Sequence, residues 1–176
     1  MHIILGFLAI LGGAAFWWWR IKAVGEVASD VHDVAGRLWG KHKRRKFLGK
    51  VNDSPLEVID DPATAAVILM NVIASEDGVP GHIAESAIKK EVEDQMGISD
   101  SMEILTFGKW TASHAPDSNT VILRYGKMWS ESLSIKERED LLSMISRICD
   151  LPGATNPAAN KTLRQTKLRQ RLGLPA

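Results

Sequence analysis

A chain of 176 residues with 22 Lys and Arg against 21 Asp and Glu has room for one ordinary domain and an appendage, and its net charge of +1 argues against a wholly nucleic-acid-binding surface. A single cysteine, Cys149, excludes an internal disulfide framework and a cysteine-rich zinc module, and it fits a folded part kept in a reducing compartment. The charge is divided along the chain: residues 20–50 hold nine basic and three acidic side chains, residues 51–150 eight and eighteen, and residues 151–176 five and none.

Ile3 to Trp19 form seventeen apolar and small residues without interruption. At about 1.5 Å per residue, a helix from Met1 to Trp19 reaches roughly 28 Å, close to the thickness of a bilayer's hydrocarbon core. Residues 1–22 are therefore expected to be a transmembrane anchor. Trp17, Trp18 and Trp19 sit at the interface, and Arg20 and Lys22 at headgroup depth. A cleaved signal peptide is the rival, but it needs a basic leading region and a small-residue cleavage site, which three tryptophans and a basic flank disfavour. The basic residues that follow put the amino terminus outside and the remainder in the cytoplasm of a bacterial-type inner membrane. Ala9 and Gly13 have the small-xxx-small spacing that lets two spans approach, which leaves a homodimer open.

Residues 23–55 read as a juxtamembrane helix and a basic linker. Val24, Val27, Val31, Val34 and Leu38 recur at three and four, the seam either of a short coiled coil or of a helix lying on lipid or on its own domain. Gly25 and Gly36 weaken that helix. Lys41, Lys43, Arg44, Arg45 and Lys46 follow. Just inside a membrane such a cluster is explained by topology and by anionic headgroups, so no nucleic acid is expected.

From residue 56 to 176 apolar residues return at three and four and never alternate, which predicts an all-α, multi-helix domain. Asp60 or Asp61 caps a first helix with Pro62 in its first turn, running through Leu69, Met70 and Ile73 to Asp77-Gly78. Pro80 or Gly81 opens a second, with Ile83, Ala87, Ile88, Val92 and Met96 inward, Lys89, Lys90, Glu91, Glu93 and Asp94 in water, and Gly97 as its end. A third is expected from about Ser99 to His114, and Pro116 to Asn119 separates it from a fourth that carries Tyr125 and Trp129. Trp110 and Trp129 are expected to anchor the core. Ser134-Ile135-Lys136-Glu137 is a capping box opening the fifth. A basic sixth helix with Leu163, Leu168 and Leu172 ends at Gly173, and its cations are expected to pack against the acidic middle of the domain.

Val67–Asp77 is similar to Asp140–Asp150 at an offset of 73, and Ile88–Ser99 to Leu163–Pro175, which suggests two helix-turn-helix units related by weak pseudo-symmetry. The run Ala74-Ser75-Glu76-Asp77-Gly78 with Glu85, then Ile135-Lys136-Glu137-Arg138-Glu139 leading to Asp150, and Leu172-Gly173-Leu174, resembles the TerB-like tellurite-resistance domain over residues 56–176. A span followed by such a domain is similar to the front part of membrane-anchored DnaJ-like co-chaperones, without their J-domain. The resemblance implies a compact helical fold at the cytoplasmic face of membrane stress complexes. It also implies a divalent metal ion held by acidic residues, here Asp77, Glu85 and Asp150. Hard cations take several carboxylate oxygens, but an Asp-Gly pair between helices also serves as cap and turn without any ion.

No His-Glu-x-x-His, Gly-x-Ser-x-Gly, phosphate-cradling glycine loop or Cys-x-x-Cys occurs in the chain. Cys149 lies on an apolar face beside Ile145 and Ile148, where a buried thiol is expected rather than a nucleophile. The sequence therefore leads to a membrane-anchored, non-enzymatic adaptor or accessory subunit without a cofactor, whose helical domain binds a protein partner. The alternative is a metal-responsive stress factor.

Overall fold

The computed structural model describes residues 55–175. The expected span, valine seam and basic cluster, with Ile3, Trp17–Trp19, Arg20, Lys22, Lys41, Lys43, Arg44, Arg45 and Lys46, lie outside the described residues. Among the described residues no helix is long and apolar enough to cross a membrane. Pro55–Val58 form a 3-10 turn. From Asp60 onward the chain is one compact unit, an all-α bundle of six helices.

Helix α1, Pro62–Glu76, starts where its sequence directs. The Asp61 carboxylate accepts from the Thr64 amide at 2.8 Å, and proline at the first position gives up an N–H that would lack a helical partner. Ten of its fifteen residues are buried, because α1 is the central helix and packs against four others. Helix α2, Gly81–Lys90, runs into a π turn over Glu91–Gln95, closed by the Met96 amide on the Glu91 carbonyl at 3.2 Å. Helices α3, Met102–Ala112, and α4, Ser118–Ser132, lie on α1. Helix α5, Ile135–Cys149, opens with the expected capping box: the Glu137 amide donates to Ser134 Oγ and the Ser134 amide to Glu137 Oε2. Helix α6, Ala158–Arg171, packs on α4 and α5, and Gly173 ends it at φ +65°.

Two expectations are corrected, for Glu91 and for Trp110. Glu91, expected in water, is buried: the wider π turn displaces the helical register and carries it inward to a bidentate pair with Arg147, at 2.7 and 2.6 Å. Trp110 is 39% exposed and Met102 69%. The face that α3 turns to α1 is made of small residues, Gly108 and Thr111. The approach is so close that a Cβ on Gly108 would stand 2.5 Å from Val67 Cγ1. Trp110 instead has the rings of Phe107 and His114 beside it, with centroids at 6.1 and 4.7 Å. Leu163 is 54% exposed, because the buried side of α6 is formed by Arg164 and Leu168. Trp129 is the core anchor expected, fully buried, with its indole N–H on the Pro62 carbonyl at 3.0 Å.

Candidate functional site

The most densely bonded polar feature is built where α1 ends. Asp77 is the C-capping residue, with its amide on the Ile73 carbonyl, and Gly78 turns the chain at φ +71°. The loop between α5 and α6 lies on this turn: Thr155 donates to the Asp77 carbonyl from its amide at 2.7 Å and from its hydroxyl at 3.2 Å. The Asp77 carboxylate is fully buried. Oδ1 accepts from Asn156 Nδ2 at 2.7 Å and Arg164 Nη2 at 3.0 Å, and Oδ2 from Arg164 Nη1 at 3.0 Å. Arg164 Nη2 also reaches Glu76 Oε2 at 3.0 Å, and Glu76 Oε1 accepts the Ser118 amide at 2.7 Å, an amide that α4 itself cannot satisfy. Arg164 Nη1 lies 3.6 Å from Cys149 Sγ. One guanidinium thus joins the ends of α1 and α5 and the start of α4 to α6, in the forked geometry that arginine offers to carboxylates.

Burial alone would pull the Arg164 pKa down; its hydrogen bonds to Asp77 and Cys149 carry it up, so the group stays cationic. Burial pushes the Cys149 thiol up, and the Arg164 hydrogen bond only partly opposes this. The thiol stays protonated, a poor nucleophile, as its apolar setting led one to expect. Glu76, Asp77 and Arg164 leave one net negative charge inside the network.

A groove of about 180 Å³ lies over this network between the start of α4 and α6, with Ser118, Asn119, Ile122, Asn160, Leu163 and Lys167 among its lining. Lys167 Nζ bridges it to Asn119 Oδ1 at 3.1 Å. Asn160 continues the polar chain downward, donating to Asn156 Oδ1 at 2.8 Å. Leu123, one helical turn along α4 from Asn119, is 48% exposed.

The three residues singled out for metal occupy separate settings. Asp77 gives both carboxylate oxygens to Arg164 and Asn156. Glu85 stands on the exposed side of α2 in a hydrogen-bonded ion pair with Lys109 of α3, and that bond holds its carboxyl below the usual range. The Asp150 side chain is 68% exposed and pairs with Lys161 at 3.6 Å. Among the described residues no group of three or more His, Cys, Asp or Glu side chains is arranged to hold a metal ion. Sequence reasoning anticipated that the basic sixth helix would meet the acidic middle of the domain, and Arg164 does so. It did not find the parts played by Glu76, Asn156 and Ser118, which no spacing announces. Compared with protein-family models, curated proteins and solved structures, the chain gives no significant match in any of the three.

Proposed function

We propose that this protein is a membrane-anchored, non-enzymatic adaptor or accessory subunit, held in a bacterial-type inner membrane by Ile3–Trp19, whose cytoplasmic helical domain seats a protein partner across α4 and α6. The observation that carries this reading is the pair Leu123 and Leu163, 48% and 54% exposed on two packed helices, with Leu163 lining a groove rich in amides. Isolated exposed leucines are ordinary; one that lines a concave polar strip, with a second on the helix packed against it, offers an apolar contact with hydrogen-bonding groups around it. In the same reading the pattern shared with tellurite-resistance domains serves the fold: Asp77 and Asp150 cap α1 and α5, which are both fifteen residues long and stand 73 residues apart. A left-handed glycine follows each, Gly78 directly after Asp77 and Gly153 three residues after Asp150.

The test is extraction of the full-length protein from its native membrane in mild detergent through a carboxy-terminal tag, with particle mass and co-purifying chains determined. A stoichiometric partner that is lost from Leu123→Ser/Leu163→Ser protein supports the adaptor. A lone particle, unchanged by the substitutions, counts against it. Calorimetric titration of the same preparation with divalent ions separates the metal-responsive alternative, which requires binding that Asp77→Asn abolishes.

A further inference from the structure

From the way α6 is held we infer that it is a detachable strap, which leaves the bundle as one unit while α1 to α5 stay folded. Of its fourteen residues only Arg164 and Leu168 are buried, with Leu172 and Leu174 just beyond its end, whereas α1 buries ten of fifteen. Polar links surround these few apolar anchors. Besides the Arg164 fork, Gln165 Nε2 reaches Ser146 Oγ at 3.1 Å, Lys167 reaches Asn119, Lys161 pairs with Asp150, and Arg138 Nη1 donates to the Leu172 carbonyl at 3.1 Å. Each of these groups regains water when the helix leaves, so the links fix where α6 docks far more than they resist its release.

The chain before it permits the motion. Residues 151–157 connect α5 to α6 as a loop containing Pro152, a left-handed Gly153 and Pro157. Release uncovers the α4 strip along which α6 lies, including Gly126, where Arg171 packs so closely that a Cβ would stand 2.8 Å from Arg171 Cβ. It also takes the guanidinium away from the Glu76 and Asp77 carboxylates and from Cys149, whose sulfur lies against Arg164. A polar, few-leucine interface of this kind resembles contacts that form and break more than it resembles a core. The inference holds whatever occupies the α4–α6 groove.

Cys149 is the chain's only thiol and reports the opening directly. In full-length protein in mild detergent, N-ethylmaleimide labelling of Cys149 and amide hydrogen exchange are followed together, each normalised to its rate in the unfolded chain. The expected result is that Cys149 and the amides from Arg164 to Leu168 react in step, at least ten-fold faster than the amides of Leu69, Met70 and Ile73. Asp77→Asn should speed the α6 amides and Cys149 by a further ten-fold and leave α1 unchanged. A ratio below ten-fold in the wild-type protein, which needs no variant, overturns the inference. So does Cys149 labelling that is out of step with α6, or an α1 that loosens together with it.

Discussion

Replacing Gly108 with alanine sets two effects of opposite sign against each other, and the structure decides between them. In an exposed helix interior the change stabilises by about 1 kcal/mol, because alanine loses less conformational freedom. Here the new methyl would stand 2.5 Å from Val67 Cγ1 and 3.2 Å from Val67 Cβ, both on the fully buried Val67 of α1. Ordinary carbon contacts lie near 3.5–4.0 Å, so something must give by roughly 1 Å. Valine in a helix holds one χ1 rotamer strongly, and its neighbours Ala66 and Ile68 are buried too, so the side chain has nowhere easy to turn. Overpacking of this kind costs about 1–3 kcal/mol, to which the α1–α3 contact adds whatever separation it suffers. The net expectation is a loss of about 1–2 kcal/mol, a fall of roughly 4–8 °C in the midpoint of thermal unfolding followed by circular dichroism. Gly81 supplies the control: a Cβ there meets nothing within 4 Å, so Gly81→Ala should leave the midpoint unchanged or raise it. In Val67→Ala/Gly108→Ala the cost should be smaller than the sum of the two single changes. If Gly108→Ala raised the midpoint as much as Gly81→Ala, the reasoning from close helix approach would be refuted.

Arg164→Glu places a third carboxylate beside Glu76 and Asp77 and should lower stability by about 3 kcal/mol, while Arg169→Glu, whose guanidinium reaches the exposed Pro175 carbonyl, should stay within about 0.5 kcal/mol; equal effects in thermal unfolding would contradict the assigned pairing. Ser134→Ala removes the hydroxyl that accepts the Glu137 amide and should cost about 1 kcal/mol by the same assay, against no change if the cap were idle. Burial raises the Asp140 carboxyl above its ordinary value, so its contribution favours the folded state below the unfolded pKa and is lost as pH rises through the folded one. Asp140→Asn should therefore stabilise at neutral pH and lose that advantage in acid, and a gain independent of pH would argue against a titrating cause. The Asp117 carboxyl is held low by the Thr120 amide, so capping of α4 is present at neutral pH and fades as pH falls through the depressed value; Asp117→Ala should remove the acid-side slope of the midpoint against pH that Asp117 contributes.

Much of the bundle is written locally. Asp61-Pro62 and Ser134 to Glu137 start helices through bonds that span three residues, and Gly78, Gly97, Gly153 and Gly173 all adopt the left-handed backbone that ends or redirects a helix. Such features are legible because their partners are neighbours in sequence. Glu91 is not, since whether an acid at a helical position faces water depends on Arg147, 56 residues away, and on a π turn that nothing in the local pattern marks. Trp110 misled for a related reason: an aromatic on an apolar helix is expected inward until a glycine and a threonine claim the inner face. The network around Asp77 was half legible. Charge segregation brings a basic helix to acidic ones, but the fork from Arg164 and the amides of Asn156 depend on a loop that folds back over the turn after α1.

Because α1 is enclosed on nearly every side, it has a history in the ribosome tunnel that the other helices lack. It is made first, and the helix that completes its surroundings in α5 ends 73 residues later. At about 5–20 residues per second, the surroundings of its ten core residues are complete only roughly 4–15 s after it is made. Fifteen residues make a helix of about 22 Å, too short to settle across a bilayer in the meantime. Until then the ten core residues are covered only in part, as α2, α3 and α4 arrive one after another.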